Sequence, residues 1–139
     1  MSTNSNFGIL NSDGTVRACW IHYEGYPMGV GAGLLKDFKT PEAIHARLDK
    51  GNSGTLYEGF FNGVFGGEYH YLSAHAAKVF ESKDEYLTTK VYDQTYYQYL
   101  YEDGKWNVYK VPSDGGKSVL MGDLKSVVEA EKRREKIGA

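Results

Sequence analysis

Cysteine, proline and long apolar runs are all scarce in this chain of 139 residues. Its single cysteine, Cys19, has no second cysteine to pair with, which excludes an internal disulfide and a cluster of thiolate metal ligands. No apolar run approaches the roughly 20 residues that a transmembrane helix needs. The start MSTNSNFGIL lacks the basic and apolar parts of a signal peptide. These absences predict a protein of a reducing cytoplasm with no membrane partner.

An excess of one charge is also missing. The chain carries 16 basic and 18 acidic residues and a net charge of −2, so nucleic acid is not an expected partner. Only the end, EAEKRREKIGA, is locally basic, and its interleaved acids indicate a solvated helical face. The length predicts a single domain, residues 1–139, which can fold without a disulfide or a metal.

Tyrosine, by contrast, is abundant. Twelve tyrosines and two tryptophans stand beside six phenylalanines. A tyrosine side chain has a large apolar body and a polar tip that needs a hydrogen-bond partner. The excess has two explanations, an antiparallel sheet with one exposed face or a surface that binds a ligand or a protein. The composition leaves both open.

The first predicted element is a β-hairpin over residues 6–24. Two extended runs, NFGIL and TVRACWIHYEG, flank SDG, and Asp-Gly is a strong hairpin turn signal. Side chains alternate along a strand, so one face of the second run carries Val16, Ala18, Trp20, His22 and Glu24. The other face carries Arg17, Cys19, Ile21 and Tyr23. Because both faces include large apolar groups, we predict a central strand covered on both sides.

Two helices are predicted next. Apolar residues recur at helical spacing over 29–38, namely Val30, Leu34, Leu35 and Phe38. The second helix has a clear start, with Thr40 as N-cap, Pro41 at the first helical position and Glu42 in the first turn. GNSG at 51–54 ends it. The short link between the two helices predicts an αα-hairpin.

The middle of the chain gives weaker signals. The stretch TLYEGFFNGVFGGEYHYLS, residues 55–73, alternates glycines with aromatic rings and allows either a twisted strand pair or an irregular loop. A short helix is predicted over 73–80. The sequence ESKDE at 81–85 is interpreted as a polar break between elements.

A second hairpin is predicted over residues 88–111, around the Asp-Gly turn at 103 and 104. A helix is then expected over 121–136, where apolar residues again follow a helical stripe. The whole pattern predicts an α+β fold in one domain. Its antiparallel β-sheet would be built from two hairpins and packed against the αα-hairpin and a C-terminal helix.

The segment HYEGYPMGVGAG, residues 22–33, is the strongest candidate for a functional site. Its glycines do not match a dinucleotide-binding fingerprint, because the third comes one residue early and no βαβ unit follows. A glycine-rich helix start can still hold an anion with its backbone amides. The alternative is that the glycines only permit close packing of the helix on the hairpin.

Acid–base chemistry has one candidate pair, His22 and Glu24, two positions apart on the predicted strand. They could also be two ligands of a metal, but no spacing selects a third ligand. The alternative is a structural histidine bonded to an acid. The chain has no nucleophile motif, and Cys19 lies in an apolar strand where a thiol is usually inert. We therefore predict neither a metal nor a cofactor, and favour a protein that is not an enzyme.

Two segments match a known pattern. MSTNSNFGI followed by DGTVRACWIHYEGYPMGVG, and later YQYLYEDGKWNVY, resemble a family of small proteins common in phage genomes. In that family a start like M-S-T-R-S precedes a D-G-T-V hairpin and an H-W-D-G-Y-P-x-G-V-G corner. The likeness covers residues 1–38 well and 96–109 moderately. This chain departs from the pattern at Asn4, Tyr23 and Glu24, where the family has Arg, Trp and Asp, and the missing arginine weakens any anion contact there.

The resemblance implies a phage accessory protein of unassigned reaction, made in the host bacterial cytoplasm. Proteins of this kind bind a host enzyme or capture a nucleotide signal of bacterial immunity. We therefore expect a non-enzymatic binder that sequesters a nucleotide-type immune signal. Rings, cations and a possible anion site concentrate at the corner, so the predicted ligand-binding residues are Arg17, Trp20, His22, Glu24, Tyr26, Gly29, Gly31 and Lys36.

Two other functions are kept as alternatives. The first is an inhibitor that binds a host protein through a tyrosine-rich surface, since tyrosine and tryptophan are favoured interface anchors. That surface would consist of Tyr97, Tyr99, Tyr101 and Trp106. The second is a small hydrolase that uses His22 and Glu24. The aromatic hairpin also allows a homodimer.

Overall fold

A computed structural model describes residues 3–57, 76–91 and 94–138 of the chain, and it has an α+β fold. Its strands are β1 (Ser5–Leu10), β2 (Val16–Ile21), β3 (Lys78–Phe80), β4 (Tyr97–Glu102), β5 (Lys105–Lys110) and β6 (Val119–Asp123). Its helices are α1 (Ala32–Asp37), α2 (Pro41–Leu48), α3 (Lys83–Thr89) and α4 (Leu124–Gly138), with a π-helical turn at Pro27–Gly31 leading into α1. Within the described ranges, every helix is too short or too polar to cross a membrane.

The six strands form one mixed sheet in the order β3-β2-β1-β4-β5-β6. The two predicted hairpins are present as β1–β2 and β4–β5, but they join through β1 and β4, which run parallel with Phe7 opposite Tyr99. The expectation of an antiparallel sheet is therefore wrong at this junction. A turn sequence determines pairing within its own hairpin and carries no information on how two hairpins meet.

Both faces of the sheet are covered. On one face, buried side chains of β1, β2, β4 and β5 pack under α1, α2 and α4, and this larger core includes Phe7, Cys19, Leu34, Ile44, Tyr99, Val108 and Leu124. On the other face, Val16, Ala18, Leu100 and Tyr109 pack with Phe80 and with Tyr86 and Leu87 of α3. Strand β2 contributes to both cores, which confirms that it is a strand covered on both sides.

Local turn and cap chemistry follows the sequence closely. The second hairpin turns at Asp103 and Gly104, whose φ angles of 54° and 79° are both in the left-handed region that a two-residue hairpin loop requires. Helix α2 begins as expected, since the Thr40 hydroxyl accepts a hydrogen bond of 3.1 Å from the Ala43 amide. Thr40 is thus confirmed as the N-cap and Pro41 as the first helical residue.

Two expected boundaries and one expected element need correction. Strand β2 ends at Ile21 and not near residue 24, because the chain turns at Glu24, where φ is 56°. The C-terminal helix starts at Leu124, because the residues before it form β6 along β5. The predicted helix over 73–80 is wrong in its described part, where Lys78–Phe80 is a strand paired with β2. Most of the glycine and aromatic stretch 55–73 lies outside the described residues.

The predicted polar break at 81–85 is in fact the start of α3. Ser82 is its N-cap and accepts a hydrogen bond of 3.0 Å from the Glu85 amide. The Glu85 carboxylate in turn accepts one of 2.9 Å from the Glu81 amide. This reciprocal pair is a variant of the capping box, in which a serine is followed three residues later by a glutamate. The capping-box pattern of Ser82 and Glu85 is visible in the sequence, but the polar composition of residues 81–85 is also typical of a loop.

Candidate functional site

Several backbone amides of the glycine-rich corner are bonded to main-chain carbonyl oxygens of the protein. The Gly29 amide donates to the Tyr26 carbonyl oxygen at 2.9 Å, and the Val30 amide donates to that of Glu24 at 2.8 Å. The Gly25 amide donates to Thr3 at 2.8 Å. These three donors therefore do not point outward to an anion, and the π-helical turn at Pro27–Gly31 is held by internal bonds.

The glycines serve close packing. A Cβ atom on Gly29 would overlap the carbonyl oxygen of Glu24. A Cβ on Gly31 would lie 3.0 Å from Leu124 Cδ1 and 3.3 Å from Tyr99 Cε1, so the corner sits directly against α4 and β4. These distances support the packing explanation of the glycines over the anion-binding one.

The remaining residues predicted to bind a ligand are dispersed. Arg17 is held by α2, since its guanidinium donates to Asp49 at 2.6 Å and lies 3.1 Å from His45 Nδ1. Trp20 points to the opposite face of β2 from Arg17, because side chains alternate along a strand. Lys36 is exposed on α1, and Tyr26 is 42% exposed beside the π-helical turn. The structure does not bring these side chains into one pocket.

His22 and Glu24 do not lie on one face of a strand, because β2 ends at Ile21. The His22 ring is partly buried, with its centre 5.2 Å from the Trp20 ring and 4.3 Å from the Tyr23 ring. Burial lowers the pKa of His22 below its ordinary value, which favours the neutral imidazole at neutral pH. Glu24 is exposed beyond the end of β2. In the part of the chain that the structure describes, no three potential metal ligands cluster.

The predicted tyrosine-rich surface is largely in the core. Tyr99 is completely buried and Trp106 is 4% exposed, because their face of the β4–β5 hairpin is the one that the helices cover. Tyr97 and Tyr101 are partly buried on the same face. These four residues therefore do not form a flat exposed surface for a protein partner. Tyr101 and Trp106 reach the rim of a cleft, described next.

A cleft of about 210 Å³ opens where three parts of the fold meet. They are the end of α1 with its link to α2, the turn between β4 and β5, and the junction of β6 with α4. The residues that line it are Leu35, Lys39, Tyr101, Gly104, Lys105, Trp106, Asp123 and Lys125. Several of them are more than 60 residues apart in the sequence, so only the fold assembles this site.

The cleft is cationic. Its lining has three lysines and one aspartate, which leaves a formal charge of +2. Lys105 Nζ lies 3.8 Å from Asp123 Oδ2, at the long end of ion-pair distances. The other Asp123 oxygen accepts a hydrogen bond of 2.9 Å from the Lys125 amide and so caps α4. Among the described residues, Lys39 and Lys125 have no carboxylate within ion-pair distance.

Two aromatic rings give the cleft a fixed wall. The Tyr101 and Trp106 rings pack edge to face with their centres 5.4 Å apart. Their polar atoms are bonded to the link between α1 and α2, since Trp106 Nε1 donates to the Phe38 carbonyl at 2.8 Å and the Tyr101 hydroxyl to that of Lys39 at 3.3 Å. These bonds hold the hairpin, and with it the rings, against the backbone that carries Lys39.

The sequence predicts Tyr101 and Trp106 as part of a protein-partner surface and not of a ligand cleft, and it predicts none of the three lysines. Lys39, Lys105 and Lys125 follow no common local spacing, so no sequence window could join them. The one available signal was weak: each lies at or next to the end of a helix or hairpin strand, where a long side chain is free to reach across.

No protein-family model, curated protein or solved structure matches this chain. The chemistry that its own side chains bring together is therefore the basis on which a function can be assigned.

Proposed function

We propose that this protein is a non-enzymatic binder of small anionic molecules that contain a ring, with nucleotides as the best-fitting class. The observation that carries the proposal is the convergence of Lys39, Lys105 and Lys125 on a cleft walled by Tyr101 and Trp106. The proposed site thus lies at the end of α1 and not at the glycine-rich corner that precedes it.

The lysines provide the contacts for phosphate. Lysine binds phosphate as a mobile point charge with three donors, and it needs no fixed fork geometry to do so. The two lysines that lack a carboxylate partner within the described residues, Lys39 and Lys125, can turn towards an anion without breaking an existing ion pair. A cleft whose lining is net positive also concentrates anions near its mouth.

The apolar part of the lining provides the contacts for a ring. Leu35, Tyr101 and the aliphatic stems of the lysines form most of the wall, and the nearly buried Trp106 packs behind Tyr101. Aromatic side chains pack against any nucleobase because every base has a π face. The volume of about 210 Å³ is below the roughly 300 Å³ at which drug-sized pockets begin, so it suits one ring or one ribose phosphate.

The lining supports binding without turnover. Among the described residues that line the cleft, Asp123 is the only carboxylate, and it already caps α4 through the Lys125 amide. General acid–base catalysis needs a positioned group of suitable pKa that is free to exchange a proton with the substrate. In the phage setting that the resemblance implies, such a binder would sequester a nucleotide signal of host immunity in the bacterial cytoplasm and so oppose the host defence.

Isothermal titration tests this proposal. The panel consists of AMP, ATP, cyclic mononucleotides, cyclic dinucleotides and inorganic phosphate. We expect at least one nucleotide to bind more tightly than about 100 µM, more tightly than phosphate alone, and more weakly as salt increases. The double variant Lys39→Gln/Lys125→Gln should lose affinity by about tenfold, since each lysine provides a phosphate contact.

Lys50→Gln is the matched control, because Lys50 is exposed beyond α2 and does not line the cleft. It should bind with unchanged affinity. Dissociation constants all weaker than about 1 mM would refute the proposal. So would a loss of affinity in Lys50→Gln equal to that of the double variant, because binding would then reflect overall charge and not the cleft.

A further inference from the structure

Asp123 gives the cleft a hydrogen-bond acceptor that the protein itself engages only loosely. Its Oδ1 atom accepts hydrogen bonds from the amides of Lys125 at 2.9 Å and Ser126 at 3.4 Å, and so belongs to the start of α4. Among the described residues, the cation within ion-pair distance of its Oδ2 atom is Lys105, whose Nζ lies 3.8 Å away. A charge-assisted hydrogen bond is about 2.7–2.9 Å long. Oδ2 can therefore accept a donor from a ligand at little cost.

The backbone holds this acceptor in place. Gly122 precedes it at the junction of β6 with α4 and has a φ of 150°, a conformation that residues with a side chain rarely adopt. Asp123 is also paired with Asn107 of β5. Its side chain is 39% exposed, so a ligand can reach it. An acceptor that is fixed before binding loses little conformational freedom when the ligand arrives.

A carboxylate needs a specific reason to be present in a cleft for anions. Its charge repels a phosphate group and offsets one of the three lysines in the lining. It favours binding only when the ligand also brings a hydrogen-bond donor to it, because a hydrogen bond to an ionised acceptor is roughly twice as strong as a neutral one. A site that attracts one part of a ligand and repels bare anions is selective.

The sugar is the part of a nucleotide that meets this requirement. It adjoins the phosphate, and Asp123 adjoins two lysines, since Lys105 is its ion-pair neighbour and Lys125 follows two residues later. A phosphate held by these lysines brings the sugar hydroxyls towards Asp123. The cleft, about 210 Å³ in volume, has room for a ribose phosphate. Acidic side chains bond the ribose 2′-hydroxyl in dinucleotide-binding folds, and the same chemistry is available here on a different fold.

We propose that Asp123 is the specificity-determining residue of the cleft, and that its Oδ2 atom accepts a hydrogen bond from the ribose 2′-hydroxyl of the ligand. The site then selects ribonucleotides over 2′-deoxyribonucleotides and over inorganic phosphate. This inference rests on the proposed function and adds to it the sugar of the ligand. On binding, Lys105 moves from Asp123 to the phosphate, which costs little because their ion pair is long and exposed.

Isothermal titration of the intact protein with matched pairs of ligands tests this inference. The probes are AMP, GMP, CMP and UMP, each beside its 2′-deoxy counterpart, together with inorganic phosphate. We expect the tightest-binding ribonucleotide to bind about tenfold more tightly than its deoxy counterpart, because the hydrogen bond that is lost has an ionised acceptor. A much larger factor is not expected, since water can reach the partly exposed carboxylate when the hydroxyl is absent.

Asp123→Asn separates the role of the carboxylate in the cleft from its role as a cap. Asparagine keeps a side-chain oxygen for the α4 amides but loses the negative charge. The preference for the ribonucleotide should fall below about threefold. The deoxynucleotide and inorganic phosphate should bind at least as tightly as before, because the described lining then has three lysines and no carboxylate. A purely structural role would instead weaken all these ligands equally.

Asp114→Asn is the matched control. The Asp114 carboxylate also accepts a hydrogen bond from the amide two residues later, that of Gly116 at 2.9 Å, and Asp114 is exposed and does not line the cleft. The substitution makes the same change of charge in the same local bond. It should leave both the affinities and the ribose preference unchanged. A loss of preference in Asp114→Asn equal to that in Asp123→Asn would contradict the inference.

Equal affinity of the parent protein for AMP and dAMP, and for the other pairs, would overturn the inference. If Lys39→Gln/Lys125→Gln still weakened both members of each pair, the proposed nucleotide site would stand without it. Weaker binding of IMP than of AMP, with AMP and dAMP equal, would overturn it in favour of a base amino group at Asp123. Dissociation constants all weaker than about 1 mM would refute the proposed function, and this inference with it. The comparison within each pair uses the parent protein, so it decides the matter even if Asp123→Asn folds poorly.

Discussion

The hydroxyl group of Tyr99 donates a hydrogen bond of 2.7 Å to the main-chain carbonyl of Gly25. Tyr99 belongs to β4 and is completely buried, and burial raises the pKa of its hydroxyl well above the ordinary value, so the group remains a donor. Gly25 belongs to the glycine-rich corner. The bond therefore ties strand β4 directly to the glycine-rich corner.

Tyr99→Phe should destabilise the protein by about 1.5 kcal/mol. The substitution keeps the ring but leaves the buried carbonyl of Gly25 without this donor, and an unsatisfied buried acceptor costs more than the bond itself contributes. Urea denaturation followed by circular dichroism gives the free energy of unfolding. Tyr96→Phe is the control, because Tyr96 lies three residues before Tyr99 and is 44% exposed. Equal stability of both variants would contradict the structural role of the bond.

The corner glycines lead to a second prediction. Gly29→Ala should destabilise the protein by about 1–3 kcal/mol, because its Cβ would overlap the Glu24 carbonyl oxygen and force the backbone apart. Gly116→Ala provides the comparison, since its nearest neighbour within 3.4 Å would be the flexible side chain of Asp114, at 3.1 Å. Thermal unfolding of the two variants measures the difference. If Gly29→Ala were as stable as Gly116→Ala, the corner would not be closely packed.

These positions also show what sequence reasoning could establish. Contacts within a few residues were predictable, because they depend on backbone conformation that single residue types favour. The Asp-Gly turn at 103–104 and the Thr40 cap of α2 are of this kind, and both are confirmed. The parallel pairing of β1 with β4 was not predictable, because it depends on how two separately formed hairpins pack together.

The candidate site, like the pairing of β1 with β4, depends on how separate elements pack together. The sequence predicts that Arg17 meets a ligand because it lies near the corner, and in the structure it pairs with the Asp49 carboxylate just past the end of α2, 32 residues later. The cleft assembles Lys39, Lys105 and Lys125 from three segments whose approach is decided by the packing of α1 and α4 on the sheet. Hydrophobic periodicity and sequence motifs describe residues that are close in sequence, so neither predicts how these three segments pack together.

A third prediction concerns Arg47, a buried charge that organises the chain after α2. Its guanidinium donates to the carbonyl oxygen of Gly51 at 3.0 Å and also to those of Thr55 and Leu56. It lies over the Phe7 ring, 5.4 Å from its centre. Arg47→Lys should cost about 3 kcal/mol, because a single ammonium cannot replace the planar set of donors to these carbonyls.

Arg17→Lys is the matched control for Arg47→Lys. It also replaces a guanidinium group by an ammonium group, but in a partly exposed ion pair with Asp49. We therefore expect the free energy of unfolding to fall by less than about 1 kcal/mol. Urea denaturation of both variants gives the two free energies. Similar losses in the two variants would contradict the assignment of Arg47 as the organising residue of this segment.

The last prediction concerns Glu102 and pH. Burial alone would raise the pKa of this carboxyl group, but hydrogen bonds from Lys83, Tyr109 and Asn107 outweigh burial and hold the pKa below its ordinary value. At pH values near 4.5, the ordinary pKa of a glutamate side chain, Glu102 therefore binds fewer protons in the folded protein than in the unfolded chain. Stability from this group is present above that pH and is lost as the pH falls through the lower, folded-state pKa.

Glu102→Gln should accordingly be less stable than the parent by about 2 kcal/mol at pH 7, because charge-assisted hydrogen bonds are lost. The difference should shrink as the pH falls through the lowered folded-state pKa of Glu102, because the parent carboxylate is then itself protonated. Urea denaturation at a series of pH values measures both curves. Glu129→Gln, an exposed residue of α4, serves as the control and should follow the parent throughout. A difference for Glu102→Gln that stayed constant across the whole acid range would mean that the lost contacts, and not the charge of Glu102, determine its contribution.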